Sequence, residues 1–154
     1  MELICRAGER ADLSACCKVF AGSEIAERYF SVPGVLAHSL ESALDAGELF
    51  VACGSAGEVL GVMRVRPRGF CGLCPYLALL GAAPEARGRG VGRFLLAQFE
   101  AAARAQGARR VTLMVSDFNE KAQGLYRTLG YWELGRLPDA VHAGITELVM
   151  VKEL

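Results

Sequence analysis

A run of glycines and arginines at residues 84–93 is the part of the sequence best suited to bind a ligand. It reads P-E-A-R-G-R-G-V-G-R and separates an apolar run at residues 76–80 from a helical pattern that begins at Val91. Backbone N–H groups in a first helical turn lack partners, and glycines let an anion approach them closely. With three arginines interleaved, the segment favours a polyanion over a single carboxylate.

Two common phosphate loops do not fit this spacing. A Walker A loop needs Lys-Ser or Lys-Thr after its last glycine, and no glycine in the segment is followed by either pair. The Rossmann fingerprint would need a glycine where Arg93 stands. The remaining pattern, Q/R-x-x-G-x-G/A, is filled by Arg87, Gly90 and Gly92. Taken alone, it is also compatible with a surface turn before a helix.

A second group of residues could carry chemistry. Asn119, Ala122 and Tyr126 are spaced i, i+3 and i+7, which places an amide and a phenol on one face of a helix. A half-buried tyrosine on an apolar stripe needs a partner for its hydroxyl group. Each residue also has a purely structural interpretation, Tyr126 as a core tyrosine bonded to a backbone carbonyl and Asn119 as a plain N-cap.

The first half of the chain supplies two predicted helices and a hairpin. Leu13, Cys16, Cys17 and Phe20 form an apolar helical stripe, and a second helix ends at Gly47. The predicted strands are residues 3–6, Leu49–Cys53 and residues 59–65, and residues 21–34 are predicted to be irregular.

The second half alternates strands and helices. Glu100 and Arg104, on the first of these helices, are predicted to form an outward-facing i, i+4 pair. The two helices end at Gly107 and Gly130, and the predicted strands are residues 76–82, 110–115, 131–137 and 146–154. This order of elements indicates a mixed α/β fold.

Composition limits the class of protein. With 154 residues, of which 53% are hydrophobic, the chain can build one well-buried domain. A formal net charge of zero argues against a general nucleic-acid or anionic-membrane surface, which would need an excess of Lys and Arg. No signal-peptide pattern opens the chain, and its longest apolar run, residues 73–84, is too short to span a bilayer. We therefore expect a soluble, cytoplasmic protein.

The six cysteines are interpreted as reduced thiols. Cys16 and Cys17 are adjacent and the others are scattered, unlike a disulfide framework. Cys71 and Cys74 form a lone C-x-x-C, a spacing that a redox pair or half of a zinc site could use. The pair precedes a strand rather than a helix, and the sequence offers no second pair of ligands, so no metal is expected.

Two segments together resemble a known family. Residues 80–96, L-G-A-A-P-E-A-R-G-R-G-V-G-R-F-L-L, are similar to the acetyl-CoA motif of the GCN5-related N-acetyltransferases (GNAT). Residues 119–131 are similar to their second motif, N-x-x-A-x-x-L-Y-x-x-x-G-F/Y, and residues 148–154 resemble their last strand. The resemblance implies a single domain over residues 1–154 with a mixed, mostly antiparallel central sheet, flanking helices, and strands that splay near an acyl-CoA site.

The same resemblance implies an activity, the transfer of an acetyl group from acetyl-CoA to a primary amine of a small molecule or a protein N-terminus. Backbone amides of residues 87–92 would hold the pyrophosphate, Asn119 would contact the pantetheine arm, and Tyr126 would act as general acid on the departing thiolate. The implied acetyl-CoA-binding residues are Leu80, Ala82, Arg87, Gly88, Arg89, Gly90, Val91, Gly92, Arg93 and Asn119. A homodimer is compatible with the resemblance.

One part of the family pattern is absent. Many similar proteins carry a glutamate on the strand before the glycine loop, whereas residues 74–83 contain no carboxylate. The segments that line the acceptor site in similar proteins contain Glu27, Tyr29 and His142 here, and Tyr76 lies on the strand itself. These four residues are the candidates for contact with the acceptor, and the general base is unassigned.

An alternative function on the same fold involves no catalysis. A non-catalytic acyl-CoA-binding or sensor protein would use the same loop but would not need an acid. The presence of both Asn119 and Tyr126 favours the enzyme. A nucleotide-binding module is disfavoured because the Walker and Rossmann spacings fail.

Overall fold

The computed structural model describes residues 1–154. Its strands are β1 (Ile4–Ala7), β2 (Leu49–Cys53), β3 (Val59–Phe70), β4 (Cys74–Ala82), β5 (Arg110–Ser116), β6 (Trp132–Pro138) and β7 (Thr146–Glu153). Its α-helices are α1 (Leu13–Val19), α2 (Glu24–Tyr29), α3 (Val35–Asp45), α4 (Val91–Ala105) and α5 (Glu120–Thr128), and short 3₁₀ helices occupy Arg10–Asp12 and Pro84–Ala86.

The strands form a seven-stranded sheet in the order β1-β2-β3-β4-β5-β7-β6. The β4–β5 pair is parallel, whereas the β1–β2, β2–β3, β5–β7 and β6–β7 pairs are antiparallel. Antiparallel neighbours can be joined by short turns, and a parallel pair needs a crossover, which α4 supplies between β4 and β5. The prediction of a mixed α/β fold with a mostly antiparallel sheet and flanking helices is confirmed.

The chain divides into two compact units, and β3 and β4 contribute residues to both. The first unit comprises residues 1–65 and 79–99. Its core includes Phe20, Leu40 and Val62, all at most 2% exposed. Val91 and Leu95, in the first turns of α4, are equally buried. The core of this unit therefore holds the beginning of α4 in place.

The second unit comprises residues 66–78 and 100–154. β5 and β7 pair along their whole length, from Arg110 opposite Glu153 to Ser116 opposite Glu147. The side chains of Leu113, on β5, and Met150, on β7, are almost fully buried. These two strands form the centre of the unit, and α5 follows from the end of β5.

Glu100 forms the predicted i, i+4 pair with Arg104, but it is buried, so the prediction that this pair faces outward is wrong for Glu100. Its carboxylate accepts a hydrogen bond from the Tyr131 hydroxyl (3.1 Å) and another from the Lys152 ammonium (2.9 Å). Arg104 stays on the exposed side of the helix, 4.0 Å from the same carboxylate. A buried carboxylate loses its hydration, and the Lys152 ammonium compensates Glu100 for that loss. Lys152 lies on β7, far from Glu100 in the sequence.

Helix α2 lies within residues 21–34, which were predicted to be irregular, so that prediction is wrong for this part. Ser23 starts the helix because its hydroxyl oxygen accepts a hydrogen bond from the Ala26 N–H (3.1 Å). Such an N-cap satisfies a donor that the first helical turn leaves unpaired. The helix is only 6 residues long and has no buried residue, so its pattern is too short to be distinguished from an irregular segment.

β3 extends to Phe70, beyond its predicted end at residue 65. The reason is a tight turn that follows the strand. Cys71 and Gly72 have φ angles of 53° and 70°, and the Leu73 N–H donates to the Phe70 carbonyl (2.9 Å). Two successive positive φ angles are typical of hairpin turns. The C-x-x-C sequence therefore spans a turn between β3 and β4.

Gly81 on β4 lies against the side chains of Phe20 and Val19. A Cβ added there would stand 2.5 Å from Phe20 Cε1 and 3.1 Å from Val19 Cγ1. Because both neighbours are buried, we expect Gly81→Ala to lower the free energy of unfolding by about 1 to 3 kcal/mol, measured by denaturant titration. Gly124→Ala is the matched control, because Gly124 is exposed in α5 with no atom nearby. It should stabilise the protein by about 0.5 to 1 kcal/mol, and equal effects at both positions would contradict this packing argument.

Candidate functional site

The glycine loop, defined here as residues 87–93, leads into α4 in the first unit. Gly88 and Gly90 have φ angles of 75° and 89°, a left-handed conformation that glycine adopts without Cβ strain. A Cβ added at either position would have no heavy atom within 4 Å. The loop therefore keeps its shape through backbone conformation, and the space beside both glycines is open.

Backbone donors of the glycine loop converge before α4. The first hydrogen bond of the helix runs from the Phe94 N–H to the Gly90 carbonyl (2.9 Å). The N–H groups without a partner in the chain are those of Gly88, Gly90, Val91, Gly92 and Arg93. Together with the positive end of the helix dipole, these groups suit a bound anion. The side chains of Arg89 and Arg93 are exposed beside them.

The guanidinium group of Arg87 binds backbone carbonyls. Its Nε donates to the Ala82 carbonyl (3.2 Å), and a terminal nitrogen donates to the carbonyls of Val19 (3.2 Å) and Ala21 (2.8 Å). These bonds tie the start of the glycine loop to the end of β4 and to the end of α1. The Arg87 side chain is thus an anchor for the loop, a role that the sequence did not predict.

Leu80 and Ala82, two predicted cofactor residues, lie near the end of β4 and are half-buried. The ladder between β4 and β5 consists of two residue pairs, Tyr76 with Thr112 and Leu77 with Leu113. Both of these pairs lie in the first half of β4.

Asn119 and Tyr126 stand at the start and near the end of α5, in the second unit. Asn119 Oδ1 accepts a hydrogen bond from the Ala122 N–H (3.3 Å), so Asn119 is the N-cap of the helix. The Tyr126 side chain is 7% exposed, and its ring packs edge-on against Tyr131 with 5.8 Å between centroids.

The Tyr126 hydroxyl forms no hydrogen bond in the structure. All fully buried side-chain oxygens have partners, so this hydroxyl oxygen must reach solvent. The interpretation of Tyr126 as a core tyrosine bonded to a backbone carbonyl is therefore wrong. A phenol with a buried ring and an accessible hydroxyl is suited to donate a proton to a bound molecule.

The phenols of Tyr126 and Tyr76, both in this unit, have raised pKa values. Burial, and next the nearby Tyr76, raise the pKa of Tyr126 to about 12. Burial and the charge of Glu147 raise the pKa of Tyr76 to about 12, while Arg66 opposes the rise. Both phenols are therefore protonated at neutral pH. Tyr76 and Tyr126 are the two predicted site residues that the structure brings together in this unit.

The raised pKa of Tyr126 has a consequence for stability at high pH. Its value of about 12 exceeds the ordinary 10.0, so between these pH values the folded state keeps a proton that the unfolded state has lost. We expect the free energy of unfolding to fall as the pH rises through this window, by about 1.4 kcal/mol per pH unit from this group. Urea unfolding at several pH values measures the slope. Tyr126→Phe should show a shallower decline, and parallel curves would contradict the assignment.

Ser116 and Glu147 form a polar pair that sequence reasoning missed. Glu147, on β7, is 4% exposed, and its carboxylate oxygens lie 3.1 and 3.3 Å from the Ser116 hydroxyl oxygen on β5. The hydroxyl donates and the carboxylate accepts. The signal that could have revealed the site is a glutamate at the start of an otherwise apolar strand, because burying a charge costs free energy unless the charge is paired or hydrogen-bonded.

Three further residues are predicted to contact the acceptor. Glu27 is exposed and Tyr29 is half-buried on α2, in the first unit. His142 is exposed in the loop between β6 and β7, with Nδ1 3.0 Å from the Ala143 carbonyl oxygen. No group of three or more His, Cys, Asp or Glu side chains is arranged to hold a metal ion. None of the helices has the length and apolar character needed to cross a membrane.

Comparison with known proteins identifies a family. The model of the acetyltransferase (GNAT) family matches residues 16–131, which is more than half of the 154 residues. A GCN5-related N-acetyltransferase from Kribbella flavida is 29% identical with a TM-score of 0.77, and the match covers 99% of this chain and 98% of that one. A ribosomal-protein-alanine N-acetyltransferase from Brucella melitensis is 25% identical with a TM-score of 0.77, over 98% and 99% of the two chains.

A nourseothricin acetyltransferase is 30% identical with a TM-score of 0.62, over 68% of this chain and 64% of its own. The family match includes the glycine loop and the helix that carries Tyr126. The chain therefore belongs to the GNAT family of acetyltransferases.

Proposed function

We propose that this protein transfers an acetyl group from acetyl-CoA to a primary amine, and that the acceptor is a small molecule or a protein N-terminus. The observation that carries the proposal is the glycine loop, in which neighbouring backbone N–H groups lack partners. The pyrophosphate of acetyl-CoA is a polyanion of the kind that such groups bind. Membership of the GNAT family supports the same activity.

The residues present fit acetyl-CoA. In the proposal, backbone N–H groups of the glycine loop hold the pyrophosphate, and the exposed Arg89 and Arg93 side chains interact with the phosphates. Backbone groups of Leu80 and Ala82 pair with the pantetheine arm. The side-chain nitrogen of Asn119 contacts that arm, because its Oδ1 is already occupied as the helix cap. Acetyl-CoA supplies the activated thioester.

Tyr126 is proposed as the general acid that protonates the departing thiolate. Its pKa of about 12 keeps the phenol protonated at neutral pH, and its hydroxyl forms no competing hydrogen bond. A backbone N–H near Leu80 or Ala82 is the proposed donor to the carbonyl oxygen, where negative charge develops during attack.

The acceptor is proposed to be an amine that must lose a proton before attack. A lysine-like amine with a pKa of about 10.4 is roughly 0.04% neutral at pH 7, whereas an α-amine near 8 is roughly 10% neutral. The names of two similar proteins cover both proposed acceptor classes, since one is a nourseothricin acetyltransferase and the other a ribosomal-protein-alanine N-acetyltransferase.

Thermal unfolding with added nucleotides tests the cofactor assignment. Acetyl-CoA is expected to raise the melting temperature, while ATP and NAD at the same concentration leave it unchanged, because a ligand that binds only the folded state stabilises it. A rise with ATP alone would reject the proposal. A rise with acetyl-CoA but no turnover of any amine would instead favour an acyl-CoA-binding protein without activity.

A further inference from the structure

The end of helix α5 ties Tyr126 to Tyr131 through the backbone. The Tyr131 N–H donates to the Tyr126 carbonyl (3.0 Å), and the Gly130 N–H donates to the Arg127 carbonyl (3.1 Å). These two bonds form a Schellman motif, which closes a helix and usually has a glycine in the left-handed region. Gly130 is that glycine, with a φ angle of 93°. Side chains at the two ends of such a motif are frequently in contact.

The two ends of this motif carry aromatic rings, and the rings are in contact. The centroids of the Tyr126 and Tyr131 rings lie 5.8 Å apart with an interplanar angle of 61°, an edge-to-face arrangement that aromatic pairs favour. Both residues are almost fully buried, at 7% and 3% exposure. The Tyr131 ring therefore bounds one side of the space that the Tyr126 ring occupies.

Tyr131 is also held by its hydroxyl group. The hydroxyl donates to one carboxylate oxygen of Glu100, on α4, at 3.1 Å, and the ammonium of Lys152, on β7, donates to the other oxygen at 2.9 Å. The same ammonium lies 5.7 Å from the centroid of the Tyr131 ring, which is within the range of a cation–π contact. Burial, and next the charge of Glu100, raise the pKa of Tyr131, so its hydroxyl stays protonated and remains a donor. The Tyr131 ring is therefore fixed from both ends.

The Tyr126 hydroxyl, in contrast, forms no hydrogen bond that could orient it. A long side chain in a helix has two favoured rotamers about its first torsion angle, and each rotamer directs the hydroxyl to a different place. A proton donor must lie about 2.6 to 3.2 Å from the atom that it protonates. The direction of the Tyr126 hydroxyl therefore depends on how the Tyr126 ring is packed.

We propose that Tyr131 is a positioning residue for acetyl transfer, and that its ring fixes the direction in which the Tyr126 hydroxyl points. This inference rests on the proposed function, in which Tyr126 is the general acid. The role belongs to the ring of Tyr131 rather than to its hydroxyl, because the ring is the part that packs against Tyr126. Glu100 and Lys152 act on Tyr131 and not on the substrates.

The first test removes the Tyr131 ring and measures kcat with the primary amine that the wild type acetylates fastest in a screen. In Tyr131→Leu we expect kcat to fall about tenfold, because misplacing a reacting group by a fraction of its contact distance slows the reaction strongly. The Kd for acetyl-CoA, measured by calorimetry, should stay within about threefold of the wild-type value. Tyr131→Phe keeps the ring, and this conservative variant should keep kcat within about threefold of wild type.

A double-mutant cycle with Tyr126→Phe shows whether the effect of Tyr131 passes through Tyr126. Once the Tyr126 hydroxyl is absent, its direction no longer matters. Adding Tyr131→Leu to Tyr126→Phe should therefore change kcat by less than about twofold. General damage to the fold would instead lower kcat by the same factor with and without the Tyr126 hydroxyl.

Gly130→Ala perturbs the same contact while leaving both rings intact. An alanine in the left-handed region is strained, which displaces the backbone bond between Tyr131 and Tyr126, and we expect kcat to fall about threefold with an unchanged Kd for acetyl-CoA. Gly107→Ala is the matched control. Gly107 lies in the same unit, has a φ angle of 83° and closes α4 with the same pattern of bonds, so this variant should be similarly strained and retain wild-type kcat.

The outcomes separate this inference from the function on which it rests. Wild-type kcat in Tyr131→Leu, or an equal loss in both halves of the cycle, would overturn the inference while leaving the acetyltransferase function intact. If Tyr131→Leu does not fold, equal kcat values in Gly130→Ala and Gly107→Ala would overturn it. A wild-type protein that acetylates no amine would overturn the proposed function itself.

Discussion

Replacing Tyr126 with phenylalanine is expected to lower kcat about 100-fold, while the Kd for acetyl-CoA changes by less than about threefold. The substitution removes only the hydroxyl group and leaves the ring, which packs against Tyr131. Without a proton donor, the thiolate must leave as an anion. Steady-state kinetics and calorimetry with acetyl-CoA measure the two quantities.

Tyr131→Phe is the matched control for that experiment. The Tyr131 hydroxyl donates to the buried carboxylate of Glu100 at 3.1 Å, so its loss should cost about 1 kcal/mol of stability. We expect kcat to stay within about threefold of wild type in this variant, because Lys152 still neutralises Glu100. Unchanged kcat in Tyr126→Phe, or equal losses of kcat in both variants, would remove Tyr126 from the acid role.

Gly90→Val is expected to weaken acetyl-CoA binding by about tenfold or more. Gly90 has a φ angle of 89°, and a β-branched residue in this left-handed region is strained by about 1 to 2 kcal/mol. No atom lies within 4 Å of the Cβ position, so the effect comes from backbone conformation rather than from a clash. Relief of that strain moves the N–H groups of the glycine loop away from the geometry that holds an anion.

The control for the loop is Gly107→Val, at the end of α4. Gly107 has a similar φ angle of 83° and equally open surroundings, so the strain and the loss of melting temperature should be similar. Calorimetry should nevertheless give a wild-type Kd for acetyl-CoA in this variant. Wild-type affinity in Gly90→Val would contradict the assignment of the loop as the pyrophosphate site.

The glycine loop and the fold class were predictable from sequence because their signals are local. Glycines at 88 and 90 mark left-handed positions, and the apolar stripe from Val91 marks the helix whose first turn supplies the unpaired donors. A run of residues that is apolar on both faces likewise predicted the central strand β5. Each of these conclusions needs only neighbouring residues.

Contacts between distant residues were not predictable in this way. The Arg87 side chain binds carbonyls near residue 20. Glu100 is buried because it pairs with Lys152, which lies more than fifty residues later in the sequence. Glu147 gains its setting from Ser116 through strand register, which a single sequence does not specify. Helix α2 was missed for a different reason, since it is only 6 residues long and a helical period does not become visible over so few positions.

Release of free thiol from acetyl-CoA, followed across a panel of primary amines, tests the central claim most directly. We expect thiol to appear with at least one amine, in an amount equal to the acetylated product, and not to appear without an amine. We also expect Tyr126→Phe to slow this release. Saturable binding of acetyl-CoA with no thiol released for any amine would contradict the claim that this protein is an N-acetyltransferase.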